Sequence, residues 1–228
     1  MRGRRVARAM AVLIAVMTPL LGVGVAPAEP ALAAPTAPLG ASSIESVSAI
    51  AVPNYFQQRN LSCEYASAVM AMAAYGVWVS EWDFDGLVGL SENPHWGYRG
   101  NIHGSWGNTD DYGVYAAALV PALNAFGFWG DAFYAGGDPS ALTSRIDQGA
   151  PTLVWIGLWG NTGYYEHTAD GTPFKLVPGL HVVVAYDYDD SGVYVSDPAT
   201  GGTRFYDWGT FMWMWNAVDG MGLAVGPM

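Results

Sequence analysis

Cys63 is the single cysteine of the chain and heads an Ala- and Met-rich segment, Ser62 to Tyr75, whose apolar residues recur at helical spacing. One cysteine excludes an intramolecular disulfide framework and any multi-cysteine metal site. Two readings remain for it: an inert buried thiol, or a nucleophile whose thiolate is favoured by the free N–H groups and dipole of a helix N-terminus. His181 leads the apolar run His181-Val182-Val183-Val184-Ala185-Tyr186, so it is either a satisfied core histidine or a general base at a sheet end. Asp197 closes the next apolar run and can orient an imidazole in the required tautomer. Gln57, six positions before the cysteine, carries an amide that can join the Cys63 backbone N–H in donating to an oxyanion; Gln58 beside it offers the same chemistry. A thiol, an imidazole, a carboxylate and an amide so arranged would perform nucleophilic acyl transfer.

The elements that must position these groups run helices first, strands second. A helix is expected over Ser62 to Tyr75, stopped by Gly76, and a second from Ser80, capped by Ser80 and Asp83, to about Leu90. The polar, glycine-rich stretch Ser91 to Tyr112 reads as a long ordered loop. Val114 to Phe126 reads as a helix despite Pro121, and Asp138-Pro139 opens a short one. Strands are expected over Thr152 to Leu158, His181 to Tyr188, Val193 to Ser196, Thr203 to Tyr206 and Leu223 to Val225, with a helix over Thr210 to Trp215. That order predicts an α+β domain with helices on an antiparallel sheet. It also sets a geometric condition. Side chains alternate along a strand, so His181 and Asp197 share a face only if their hairpin has an odd turn or a bulge.

Of 228 residues, 51% are hydrophobic and 13% charged, enough to bury a full core. Residues 1–33 carry Arg2, Arg4, Arg5 and Arg8, then an apolar stretch from Ala9 to Val25, then Ala31-Leu32-Ala33. This is the order of a secretory signal peptide; Pro19 breaks the apolar run, and Arg4-Arg5 leaves open a twin-arginine route. Its removal takes four arginines and one glutamate and moves the net charge from −11 to −14. So acidic a chain does not suit a nucleic-acid partner or anionic lipid. The expectation is a secreted, extracellular, monomeric protein without stable membrane association, with residues 34–48 as a linker and residues 49–228 as the domain.

At the level of motifs the sequence resembles the papain-like cysteine peptidases of the C39-like group. The resemblance rests on Val52-Pro53-Asn54-Tyr55-Phe56-Gln57, on the Cys-led helix Cys63-Glu64-Tyr65-Ala66-Ser67, on the His-led strand 181–186, and on Val193-Tyr194-Val195-Ser196-Asp197-Pro198 running on to Gly201. Between them, Asn93-Pro94-His95-Trp96-Gly97-Tyr98-Arg99-Gly100 and Gly113-Val114-Tyr115 are similar to segments of some members. The resemblance spans about residues 50–226. It implies a papain-like fold with Cys63 as nucleophile, His181 as base, Asp197 as orienter and Gln57, rather than Gln58, as oxyanion donor, acting on peptide or protein substrates without a cofactor. Where the family commonly has Gly-Pro after the cysteine, this chain has Glu64-Tyr65, and a carboxylate pointing inward there would oppose thiol ionisation.

His95, His103 and His167 read as loop histidines with no metal-ligand spacing, Asp189-Asp190 as a turn, and the aromatics Trp208, Phe211, Trp213 and Trp215 as core. Trp96, Tyr98 and Trp106, large rings in a glycine-rich loop, are expected to border the substrate groove. The reading is a thiol peptidase or amidase. The alternatives are a cell-wall peptide hydrolase with the same triad, or a catalytically silent peptide-binding domain.

Overall fold

The computed structural model describes residues 50–228; the expected signal peptide (1–33) and linker (34–48) lie outside the described residues. Its centre is a six-stranded sheet in the order β1-β8-β2-β5-β6-β7, every pair antiparallel. The strands are β1 (Phe128–Tyr134), β2 (Thr152–Gly157), β5 (Leu180–Asp189), β6 (Gly192–Asp197), β7 (Gly202–Asp207) and β8 (Met221–Pro227). A separate hairpin pairs β3 (Tyr164–His167) with β4 (Pro173–Leu176).

Helices cover both faces of the sheet, which is why β2 and β5 are apolar runs rather than alternations. On one face α1 (Cys63–Ala73) and α2 (Ala116–Ala125) pack over Leu153, Trp155, Val182, Val184 and Leu223. On the other, α3 (Ser140–Asp147) and α4 (Trp208–Trp215) pack over Val154, Ile156, Val183 and Val195. Every residue of α1 is buried. Such a helix cannot be amphipathic, and its Ala, Ser and Met side chains let it sink between sheet and loop. Ser67 Oγ donates to the Val182 carbonyl at 3.2 Å and so pins α1 to β5.

Several expectations need correction. Of the four C-terminal aromatics expected in the core, Phe211 and Trp215 are buried, Trp208 is partly buried, and Trp213 is exposed. The second helix is one 3-10 turn, Glu81–Phe84: the Ser80/Asp83 capping box forms as expected, but Gly86 and Gly89 follow at once and nothing propagates it. β1 and the β3–β4 hairpin carry no element in the sequence reading. β1 is an edge strand with Gly130 and Asp131 in its middle, and its aromatics lack the clean period of two that marks a strand. His167 therefore ends a strand rather than lying in a loop. Among the described residues no helix is long and apolar enough to cross a membrane, and no group of three or more His, Cys, Asp or Glu side chains is placed to hold a metal ion.

Candidate active site

The β5–β6 hairpin turns through only two residues, Asp190 and Ser191, with Asp189 paired to Gly192. An uninterrupted ladder from that turn would put His181 and Asp197 on opposite faces. The register instead shifts between Ala185 and Asp187, leaving Tyr186 as an extra residue, after which Ala185 faces Val195 and Val184 faces Ser196. The bulge reverses the phase, so His181 and Asp197 lie on one face, two residues apart diagonally. His181 Nε2 meets Asp197 Oδ1 at 2.8 Å, with both side chains almost fully buried.

Asp197 has further partners: the Ala199 N–H donates to Oδ1 at 2.9 Å, and the half-exposed Arg204 of β7 places Nε 2.6 Å from Oδ2. Burial alone would push this carboxyl up. The hydrogen bond and charge of His181, the Ala199 N–H and the Arg204 guanidinium outweigh it and hold Asp197 below the usual carboxylate range. As an anion it can only accept, so Nε2 carries a proton toward it, and in the neutral imidazole Nδ1 is the acceptor.

Cys63 is the first residue of α1, and it lines the same cleft of about 520 Å³ as His181, Asp197, Gln57 and Trp106. The expectation that a helix N-terminus makes this thiol easy to ionise is not what the structure gives. Burial, the largest influence, and the charge of Glu64 push the thiol well above its ordinary value, against backbone hydrogen bonds from Val182 and Glu64 that pull it down. Glu64 points inward: its Oε1 accepts from the Val114 N–H at 3.1 Å, and its Oε2 accepts from the Cys63 thiol at 3.4 Å.

Gln57 is carried on a strap tied to both sides of the cleft. Its N–H donates to the Pro198 carbonyl at 2.9 Å, next to Asp197. Two residues on, buried Arg59 grips Asp85 at 2.7 Å and the Glu81 carbonyl at 2.9 Å. The Gln57 amide Nε2 donates to the carbonyls of Arg59 and Asn60 at 2.9 and 3.0 Å, while its Oε1 is buried with no hydrogen-bond partner among the described residues. Gln58 also lines the cleft, and its Oε1 accepts from the Trp82 indole.

Of the three loop aromatics expected at the groove, only Trp106 lines it. Its indole N–H donates to the Leu180 carbonyl at 2.7 Å, one residue before His181, and its ring meets that of Trp159 edge-on at 5.1 Å. Trp96 lies outside the cleft, and Tyr98 is core, 3% exposed, its hydroxyl on the Leu61 carbonyl. Glycine is what lets the loop turn back, not what empties the space around its rings. Arg204 and the backing Trp159 were not singled out from sequence. Arg204 had no signal beyond strand periodicity, whereas Trp159, just before Gly160, could have been marked as a large ring at a strand end.

The chain matches the Peptidase_C39 like family over residues 49–222. It is similar in structure to a C39-like peptidase from Bacillus anthracis, at TM-score 0.64 and 20% identity, covering 78% of this chain and 95% of that one. Weaker likenesses are to a double glycine motif protease of an AMS/PCAT transporter solved with the leader peptide (TM-score 0.49, 18% identity, 79% and 94% covered) and to the peptidase domain of Streptococcus ComA (0.48, 15%, 78% and 100%). No curated protein matches the chain. With three quarters of its length matched and helices flanking an antiparallel sheet, the chain belongs to the Peptidase_C39 like family and has that family's papain-like α+β fold.

Proposed function

We propose that this protein is a secreted cysteine peptidase or amidase that hydrolyses peptide bonds through Cys63, His181 and Asp197, with Gln57 as oxyanion donor. The observation that carries the reading is the 2.8 Å contact of His181 Nε2 with an ionised Asp197, in the cleft that Cys63 lines. In the proposed cycle Nδ1 of His181 takes the Cys63 proton, and sulfur attacks the substrate carbonyl as the C–S bond forms. The oxyanion is met by the Cys63 backbone N–H and by Gln57, which turns one amide N–H away from the Arg59 or Asn60 carbonyl to reach it. The imidazolium then protonates the leaving amine. In the second half His181 removes a proton from water, hydroxide attacks the thioester, and the sulfur leaves as it regains its proton. Trp106 and the apolar residues Leu158 and Leu180 form one wall of the cleft and suit an apolar side chain of the peptide.

The test is cleavage of a peptide library by the secreted protein, alongside iodoacetamide labelling of Cys63. Cleavage abolished in Cys63→Ala, with labelling that collapses in His181→Ala, is expected. A thiol labelled equally slowly in both backgrounds, with no cleavage, would leave only a binding domain.

A further inference from the structure

The residue beside the nucleophile is a carboxylate sealed inside the protein. Glu64 is 1% exposed, and among the described residues its hydrogen bonds beyond its own backbone are those from Val114 N–H and the Cys63 thiol. Room for it is provided by Gly113, where a Cβ would lie 1.9 Å from Glu64 Oε1 and where φ is +139°, a conformation that itself favours glycine. The loop is thus shaped around this carboxyl group. Nothing in the cycle above uses it, yet a thiolate formed at Cys63 would sit against it.

We propose that Glu64 is a positioning residue that gates the nucleophile: as a carboxylate it accepts the Cys63 S–H and keeps the proton on sulfur, and as a carboxylic acid it becomes a donor that supports the thiolate. In the gated state two negative charges would have to share a dry site, which His181 alone must overcome. In the open state the sulfur proton resides on Nδ1 of His181, Glu64 keeps its own proton, and its O–H points at sulfur. The peptidase would then draw its activity from the acidic side of neutrality.

The phenols that face Glu64 do not supply another switch. Cys63 shares its helix, Tyr65 follows it, Tyr98 and Tyr112 sense it from the long loop, and His181 stands on the β5 side of the thiol. Burial pushes all three phenols up, so they stay neutral. The cations on this side, Arg59 and Arg99, are engaged by Asp85 and Glu166. Burial, the largest influence on Glu64, pushes it up to about 7, against its own N–H, that of Val114 and the thiol. The gate therefore lies within the range where a small pH change moves it.

The proposal rests on Cys63 being the nucleophile, and its test reads the thiol without requiring turnover. Thiolate absorbance and iodoacetamide rate are followed from pH 5 to pH 9 in the wild type and in Glu64→Gln, whose amide still accepts from Val114 N–H and donates to sulfur at every pH. At pH 8 the variant is expected to show at least about tenfold more thiolate, the effect of lowering the thiol by one pH unit. Superimposable profiles would overturn the proposal. If Glu64→Gln does not fold, Glu64→Asp, which withdraws the carboxylate by one methylene, must shift the profile in the same direction, and failure to do so is equally fatal. A shifted profile without peptide cleavage would remove the peptidase reading and leave the gate; cleavage with unshifted profiles would do the reverse.

Discussion

The buried carboxyl of Glu64 should leave a signature in folding stability that owes nothing to catalysis. Its ordinary value is 4.5 and the folded protein pushes it up to about 7. As pH climbs through 4.5 the unfolded chain releases this proton while the folded chain keeps it until about 7, so in between the folded state binds more protons. Stability from this group is therefore fully present below about pH 4.5, declines as pH rises, and is gone above about pH 7. At about 1.4 kcal/mol per pH unit, the loss comes to about 3 kcal/mol. Urea unfolding of wild type and Glu64→Gln, followed by tryptophan fluorescence at pH 5 and pH 8, isolates it because the other carboxylates cancel in the difference. At pH 5, just above 4.5, the glutamine variant should be the more stable by less than about 1 kcal/mol. At pH 8 the glutamine variant should be the more stable by about 3 kcal/mol with an unchanged m value. A difference that stays constant between the two pH values would refute the reasoning, because it would mean that Glu64 is hydrated or paired in the folded state.

Other substitutions test neighbouring parts of the argument. Asp197→Asn keeps the volume and an oxygen that can accept from Nε2–H but loses the negative charge that stabilises the imidazolium and that Arg204 grips, so turnover should fall by about 10²–10⁴-fold with substrate affinity little changed; steady-state kinetics on a cleaved peptide decide this. Gly113→Ala should destabilise by about 2–3 kcal/mol in thermal or urea melts, and much of the loss should disappear in a Glu64→Ala background, where the clashing carboxylate is absent. Trp106→Ala removes a cleft wall and the hydrogen bond to Leu180, and should raise KM for substrates with a bulky apolar side chain about tenfold while kcat changes little.

The parts of this fold legible in sequence are those whose pattern is local. The run 152–158, apolar after Thr152, and the His-led run 181–186 announce buried strands, and the Ser80–Asp83 pair announces a cap, which is there although the helix behind it is a single turn. β1 is not legible, because its burial pattern comes from pairing with β8 at the far end of the chain. The identities of Cys63, His181, Asp197 and Gln57 could be read as candidates, but that His181 and Asp197 meet could not, since it depends on one unpaired residue in the β5–β6 ladder. The direction of Glu64 was equally hidden: a residue at the second position of a helix can face solvent or core, and only the Cβ-free Gly113, 49 residues away, decides it. Tyr98 shows the converse, a ring in a glycine-rich loop that the Tyr65 ring, itself stacked on Phe84, draws into the core.

The bulge at Tyr186 has a bearing on how this protein should be compared with its relatives. A residue gained or lost at the Asp190-Ser191 turn alters the count between His181 and Asp197 yet leaves the Ala185–Val195 pairing in place, and the two side chains still meet. A residue gained or lost within the ladder leaves the turn intact and sends the two to opposite faces. The number of residues between the histidine and the aspartate is consequently free to drift by turn length, whereas the phase of the inner ladder is not. An alignment of relatives should be anchored on the pairing of the inner strands, with gaps opened only at the hairpin tip.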